Sequence, residues 1–174
     1  MKTIQAPLNK EDIIGLTAGE PVMVNGTVYT ARDAAHQRMA AAIKAGDKLP
    51  FDPQGQVIYY TGPSPAPPGR VIGSAGPTTS GRMDIYTPLL LERGLKVMIG
   101  KGERNEAVKE AMCKYGAIYL AAVGGAGAYL ARRIISATVA AYPDLGPEAV
   151  YRLEVKDFPC IVAIDACGND IYER

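Results

Sequence analysis

The sequence predicts an α/β fold, with a mostly parallel sheet flanked by helices and a smaller β-rich element beside it. Three observations predict it. Apolar runs of strand length alternate with helical patterns through the second half of the chain. The first half instead carries short alternating segments about Asn25–Gly26. Between the halves stands TGPSPAPPGR, Thr61 to Arg70. Its prolines cannot donate to a ladder and disfavour helix, so it is expected to be an extended surface connector.

The elements follow in order. PVMVNGTVYT is expected to form two short strands about an Asn25–Gly26 hairpin turn. TARDAAHQRMAAAIKAG reads as a helix with Thr30 as N-cap, Asp33 in a capping-box-like position and Gly46 as its stop. QVIYYTG returns as a strand. Beyond the connector, RVIGSAG is expected as a strand and TTSGRMDIYTPLLLERG as a helix that Pro88 kinks or splits. LKVMIG then reads as a strand, RNEAVKEAMCKYG as a helix, AIYLAAVGG as a strand and GAYLARRIISATVAAY as a helix. YRLEVKDFPCIVAIDACGN closes the chain as a pair of strands. Residues 1–174 are expected to form a single domain, a size that buries roughly 70% of the unfolded surface.

Composition narrows the function classes. With 48% apolar and 21% charged residues and a formal charge of +1, there is no electrostatic case for nucleic acid or a membrane surface. Acidic and basic residues are interspersed, as in LERGLK and KGERNEAVKE. The opening MKTIQAPLNKEDIIGL lacks the apolar core of a signal peptide, and no apolar run reaches transmembrane length. A cytoplasmic protein is expected. Cys113, Cys160 and Cys167 are odd in number and contain no CxxC pair, against a disulfide framework or a self-contained zinc or iron–sulfur site. Cys113, in a helical pattern, and Cys160, in a strand pattern, are expected as buried, inert thiols. Cys167 is expected in a turn beside Gly168.

Four segments could carry chemistry. In Thr30-Ala31-Arg32-Asp33-Ala34-Ala35-His36, an arginine in a helix's first turn opposes the dipole unless it joins the free N–H groups in holding an anion. The competing reading is an Arg32 that is solvated or paired with an acid. His36 would lie one turn along on the same face. Gly76-Pro77-Thr78-Thr79-Ser80-Gly81-Arg82-Met83-Asp84 would follow a strand and precede a helix, where open α/β sheets bind ligands. One N-cap hydroxyl would explain any one of Thr78, Thr79 and Ser80, but hardly all three beside Arg82. Gly100-Lys101-Gly102 would bring an ammonium close to a ligand, and is no Walker A loop. Val123-Gly124-Gly125-Ala126-Gly127 resembles a dinucleotide turn, but Leu130 falls where a small residue is required, and Glu148 is not at a clear strand end.

Together, TARDAAH, GPTTSGRMD, the KG turn, the GGAGA turn and EVKDFPCIVAIDACGN resemble the β subunit, or C-terminal domain, of class I (iron–sulfur) fumarases and L-tartrate dehydratases. The resemblance runs from about Pro21 to the C-terminus. It implies a swivelling β/β/α domain and reversible hydration of a dicarboxylate double bond, fumarate to (S)-malate. Tartrate dehydratase, mesaconate hydratase or a non-catalytic dicarboxylate-binding domain are the alternatives. It implies a [4Fe–4S] cluster on a partner α subunit, none bound by this chain, and inactivity without that partner. A homodimer or heterotetramer would result. By motif position, Arg32 and Arg82 would bind carboxylates, aided by Thr79 and Gly81. Thr78 would move the proton at carbon, and Lys101 would be the active-site lysine. Asp33 and His36 would support them from behind. A threonine is a weak base, so its role needs the positive field of Arg32, Arg82 and Lys101 or a relay to another base.

Overall fold

A computed structural model of the chain describes residues 1–122 and 126–173. Its strands are β1 (Lys2–Ala6), β2 (Pro21–Thr30), β3 (Val57–Tyr59), β4 (Val97–Gly100), β5 (Ile118–Ala121), β6 (Ile134–Ala141) and β7 (Val150–Ile164). The helices are α1 (Lys10–Ile14), α2 (Asp33–Ala45), α3 (Thr87–Glu92), α4 (Glu106–Tyr115) and α5 (Gly127–Ala131). All the strands belong to one sheet. β1 to β5 pair in parallel, each with the next, while β7 runs antiparallel to β2, β5 and β6. Because β7 bonds to β2 along most of its length and to β5 near its end, β2-β3-β4-β5-β7 close into a barrel. The expected α/β character holds. The expected mostly parallel sheet with a separate β-rich element does not: the sheet is mixed and closed, and it takes in the strands of the first half.

The pleat divides the core in two. Val57, Tyr59, Val97, Ile99, Ile118 and Leu120 point into the barrel, where they meet Val22, Val24, Val28, Leu153 and Val162. The alternate residues Ile58, Met98 and Tyr119 face outward against Met39, Leu90, Leu91, Val108 and Met112 of the helical layer. Both faces of these short strands are therefore buried, which is why they read as unbroken apolar runs.

Several expectations fail for identifiable reasons. Asn25–Gly26 is no hairpin turn. β2 runs straight through it, flanked by β1 and β7, and the glycine serves a bulge in which a Cβ would lie 2.3 Å from the Ala6 carbonyl oxygen. RVIGSAG forms no strand, because it folds back on the proline connector: Ser64 N–H donates to Ser74 O at 2.9 Å and Gly73 N–H to Ser64 O at 3.1 Å. The long helix expected over 127–142 stops at Ala131, and Ile134–Ala141, rich in β-branched residues, becomes β6 against β7. The terminal pair of strands is one strand of 15 residues. Pro88 does split its segment, into a 3₁₀ turn over Ser80–Met83 and α3. β1 and α1 are elements beyond those expected from the sequence. The connector is as expected, exposed and irregular from Ser64 to Arg70.

Candidate active site

β2, β3 and β4 end level with one another at one rim of the barrel, and the segments that follow them carry the candidate residues. Beyond β2, Ala31 N–H donates to Tyr59 O at 3.1 Å, extending the β2–β3 pairing to the start of α2. Arg32, not Thr30, is the N-cap of α2, with an extended backbone. Thr30 is instead the buried last residue of β2; its hydroxyl donates to Ala149 O at 3.3 Å and accepts from Tyr151 N–H at 3.0 Å. Beyond β4, Lys101 bridges Thr79 in parallel, and Ser80 N–H donates to Lys101 O at 2.9 Å. Thr78 N–H donates to Tyr60 O at 2.8 Å, just past β3. The segment Thr78–Arg82 thus lies across the ends of β3 and β4, although no strand precedes it.

An ion pair completes the circuit. Arg82 donates through Nε at 3.3 Å and Nη2 at 2.8 Å to the two carboxylate oxygens of Asp33, the first residue of α2. Arg32 lies over Gly62, where a Cβ would come within 3.0 Å of its Cδ and 3.1 Å of Nη1. Its Nε is 3.9 Å from Glu148 Oε1. Lys101 is exposed and Thr78 half-buried, and neither the ammonium nor the hydroxyl has a partner among the described residues. Arg32, Asp33, Thr78, Thr79, Gly81, Arg82 and Lys101 therefore stand at one end of the barrel, on the start of α2 and on the segments that follow β3 and β4. Gly81 is not required by packing: a Cβ there would make only ordinary contact with Glu103 O at 3.8 Å. Gly100 is required, since a Cβ would fall 2.0 Å from Ser80 Oγ.

His36 sits beneath this surface, wholly buried between Tyr60 and Tyr86. Its Nδ1 is 2.8 Å from Arg32 O, a contact that requires the Nδ1–H tautomer. Burial pushes its pKa down to about 4, so the ring is neutral at pH 7. Its contribution is to hold the carbonyl of Arg32, which also accepts His36 N–H at 2.9 Å.

The matching family model is that of the fumarase C-terminus, and it covers residues 2–174. The chain belongs to that family. It is 39% identical over 98% of its length to fumarate hydratase 2 of Leishmania major, and 38% over 99% to the anaerobic class I fumarate hydratase of Escherichia coli. It spans 31% and 33% of those two proteins, about a third of their length. It is 41% identical over 96% of its length to a putative L(+)-tartrate dehydratase subunit beta of Methanocaldococcus jannaschii, of which it covers 89%.

A fumarase-family iron–sulfur cluster demands several converging thiolates. In this family member Cys160 is buried in β7 opposite Val22, while Cys113 on α4 and Cys167 after β7 are exposed. The exposure of Cys113 corrects the expectation of a buried thiol. Among the described residues, no three His, Cys, Asp or Glu side chains are grouped to hold a metal ion. This chain's donors do not fit such a cluster. Gly124 and Gly125 of the glycine turn lie outside the described residues.

Sequence reasoning missed the layer that holds the rim in place. Arg104, fully buried, donates through Nε to Asp84 Oδ1 at 2.6 Å and through Nη2 to Thr87 Oγ1 at 2.9 Å and Tyr60 OH at 3.1 Å. Its guanidinium stacks on the rings of Tyr60 and Tyr119. Tyr119 OH donates to Gly102 O at 2.8 Å and takes a bond of 2.7 Å from Ser80 Oγ. Asp84 Oδ2 accepts Asn105 N–H at 2.8 Å. The 78–84 and 101–105 loops are thus tied to each other and to β5. Charged residues usually read as solvated surface, so the motif's Asp84 was the sole clue to this buried pair.

Proposed function

We propose that this chain is the β-type part of a hydro-lyase that reversibly adds water to fumarate to give (S)-malate. The observation that carries the reading is the arrival of Arg32, Thr78, Arg82 and Lys101, far apart in sequence, on adjoining loops at one barrel rim. Arg32 and Arg82 would hold the two ends of the diacid, and Lys101 would add to the field between them. Three cations face two carboxylates, Asp33 and Glu148, so the rim keeps positive charge to receive a dianion. Asp33 occupies the Nε and Nη2 edge of Arg82 and leaves Nη1 for a ligand. Thr78, its hydroxyl uncommitted, would carry the proton at carbon. The surrounding cations would stabilise its alkoxide and the charge developing on the substrate.

A cluster-bearing α subunit belongs to the same proposal. The extent of the match supports it: a third of each fumarate hydratase, but nearly the whole of a protein named as a beta subunit. That last match also favours a second reading, L-tartrate dehydratase, and mesaconate would engage the same two-carboxylate grip. Anaerobic co-expression with the candidate α subunit, followed by assays with fumarate, mesaconate and tartrate, tests the proposal. Fumarate is expected to turn over fastest. Preference for tartrate would install the second reading, and inertness of the assembled pair towards all three would refute hydro-lyase function.

A further inference from the structure

The two arginines of the rim are treated differently by their neighbours. Arg82 has closed its pair with Asp33 at 2.8 Å, whereas Arg32 Nε and Glu148 Oε1 stand 3.9 Å apart. Both of these atoms are shut off from solvent, and neither has a hydrogen-bond partner. Buried, charged, unsatisfied atoms facing each other are rare, and they call for a state in which they are satisfied. A charge-assisted N–H···O bond is about 2.7–2.9 Å long, so a movement of about 1 Å would make it.

The surroundings hold the backbones of both partners, Arg32 through its carbonyl, which accepts His36 N–H at 2.9 Å and lies 2.8 Å from His36 Nδ1. Glu148 ends the turn Pro143–Glu148, which is pinned to α2 by Asp144: Arg38 Nη1 donates to Oδ1 at 2.9 Å, and the guanidinium lies over Tyr142. The next residue, Ala149, accepts the Thr30 hydroxyl. The Glu148 backbone is therefore anchored on both sides, and its carboxylate is free to turn. The Arg32 side chain passes over Gly62, where a Cβ would lie 3.0 Å from its Cδ and 3.3 Å from Pro147 O. The Arg32 side chain is thus held in a slot between Gly62 and the Pro147 carbonyl, with the Glu148 carboxylate beside its Nε.

We propose that Glu148 is a positioning residue for Arg32. Its carboxylate takes Nε–H, turns the guanidinium so that the two Nη groups face the rim, and closes onto it when a substrate carboxylate binds. The proposal rests on the reading of Arg32 as a carboxylate-binding group. Glu148 itself does not touch substrate, since two carboxylates on the same guanidinium edge would repel. Gly62 is part of the device, because a Cβ there would crowd both Arg32 Cδ at 3.0 Å and Pro147 O at 3.3 Å.

The test observes the Arg32 Nε–H signal directly, by NMR of the chain labelled with ¹⁵N-arginine, with and without (S)-malate. Wild type is expected to show a signal that shifts downfield and exchanges more slowly with water as malate is added. In Glu148→Ala the side chain should be mobile in both states and malate should bind at least tenfold more weakly, with the thermal midpoint within a few degrees. Glu148→Gln, which keeps an acceptor, should recover part of the affinity. Equal Arg32 signals and equal affinity in wild type and Glu148→Ala would overturn the positioning role while leaving the site reading intact. Arg32→Ala that binds malate as tightly as wild type would instead remove the site reading, and this inference with it.

Discussion

Arg82 and His36 show how differently two side chains of one rim should behave. Arg82 is about half exposed and its tie to Asp33 is a surface pair, worth under about 1 kcal/mol to stability. Arg82→Ala is therefore expected to leave the unfolding midpoint nearly unchanged. It should lower turnover of the assembled enzyme by on the order of 10²–10³-fold, as the loss of one preorganised donor does. Loss of soluble protein in place of loss of rate would make Arg82 a structural residue. His36 is the reverse case. Its folded pKa of about 4 lies below the ordinary 6.5, so the unfolded chain binds the extra proton between those values and stability falls as pH drops from 6.5 to 4. The shift corresponds to about 3 kcal/mol. Urea unfolding at pH 7 and pH 4.5 should show most of that loss, about 2 kcal/mol, in wild type and a flatter profile in His36→Asn. An unchanged slope would mean that the imidazole charges without penalty.

At the scale of elements, the rim depends on a close approach between a strand end and a loop. A Cβ on Gly100 would meet Ser80 Oγ at 2.0 Å and Tyr60 Cδ2 at 2.8 Å, and could be accommodated only by pushing Ser80 off the Tyr119 hydroxyl. Gly100→Ala is expected to cost about 1–3 kcal/mol in thermal unfolding and to displace the 78–82 loop. Adding Ser80→Ala should recover part of that cost, because it removes the nearest clashing atom. A single variant as stable as wild type would show the loop to be loosely held. α4 offers a milder check: the side chain of Asn105 accepts Val108 N–H at 2.9 Å, and Asn105→Ala should lose about 1 kcal/mol, as N-cap replacements do.

Across the whole molecule, the buried Arg104–Asp84 pair joins the motif loop, the β4–α4 loop and two core tyrosines. Arg104→Met strands a buried carboxylate and is expected to cost about 3–5 kcal/mol, whereas Arg104→Met with Asp84→Asn should recover much of it in denaturant unfolding. Additive losses in the double variant would mean the two residues act separately. Local chemistry made some of this structure legible in advance: the helix stops at Gly46 and Gly116, the split at Pro88, the apolar β3, β4 and β5, and the motifs that hold Arg32, Thr78, Arg82 and Lys101. Those features depend on backbone conformation and side-chain type within a few residues, which the chain carries with it. What only the tertiary structure decided depends on partners distant in sequence. β7 closes the sheet by reaching both β2 and β5, Asn25–Gly26 stays extended because β1 and β7 bond it on both sides, and 134–141 turns from helix to strand because β7 offers it an edge. The meeting of Arg82 with Asp33 and of Arg32 with Glu148 belongs to the same class. A hydrogen-bond ladder or an ion pair between residues distant in sequence is settled by which groups the fold brings together, and no local propensity records that.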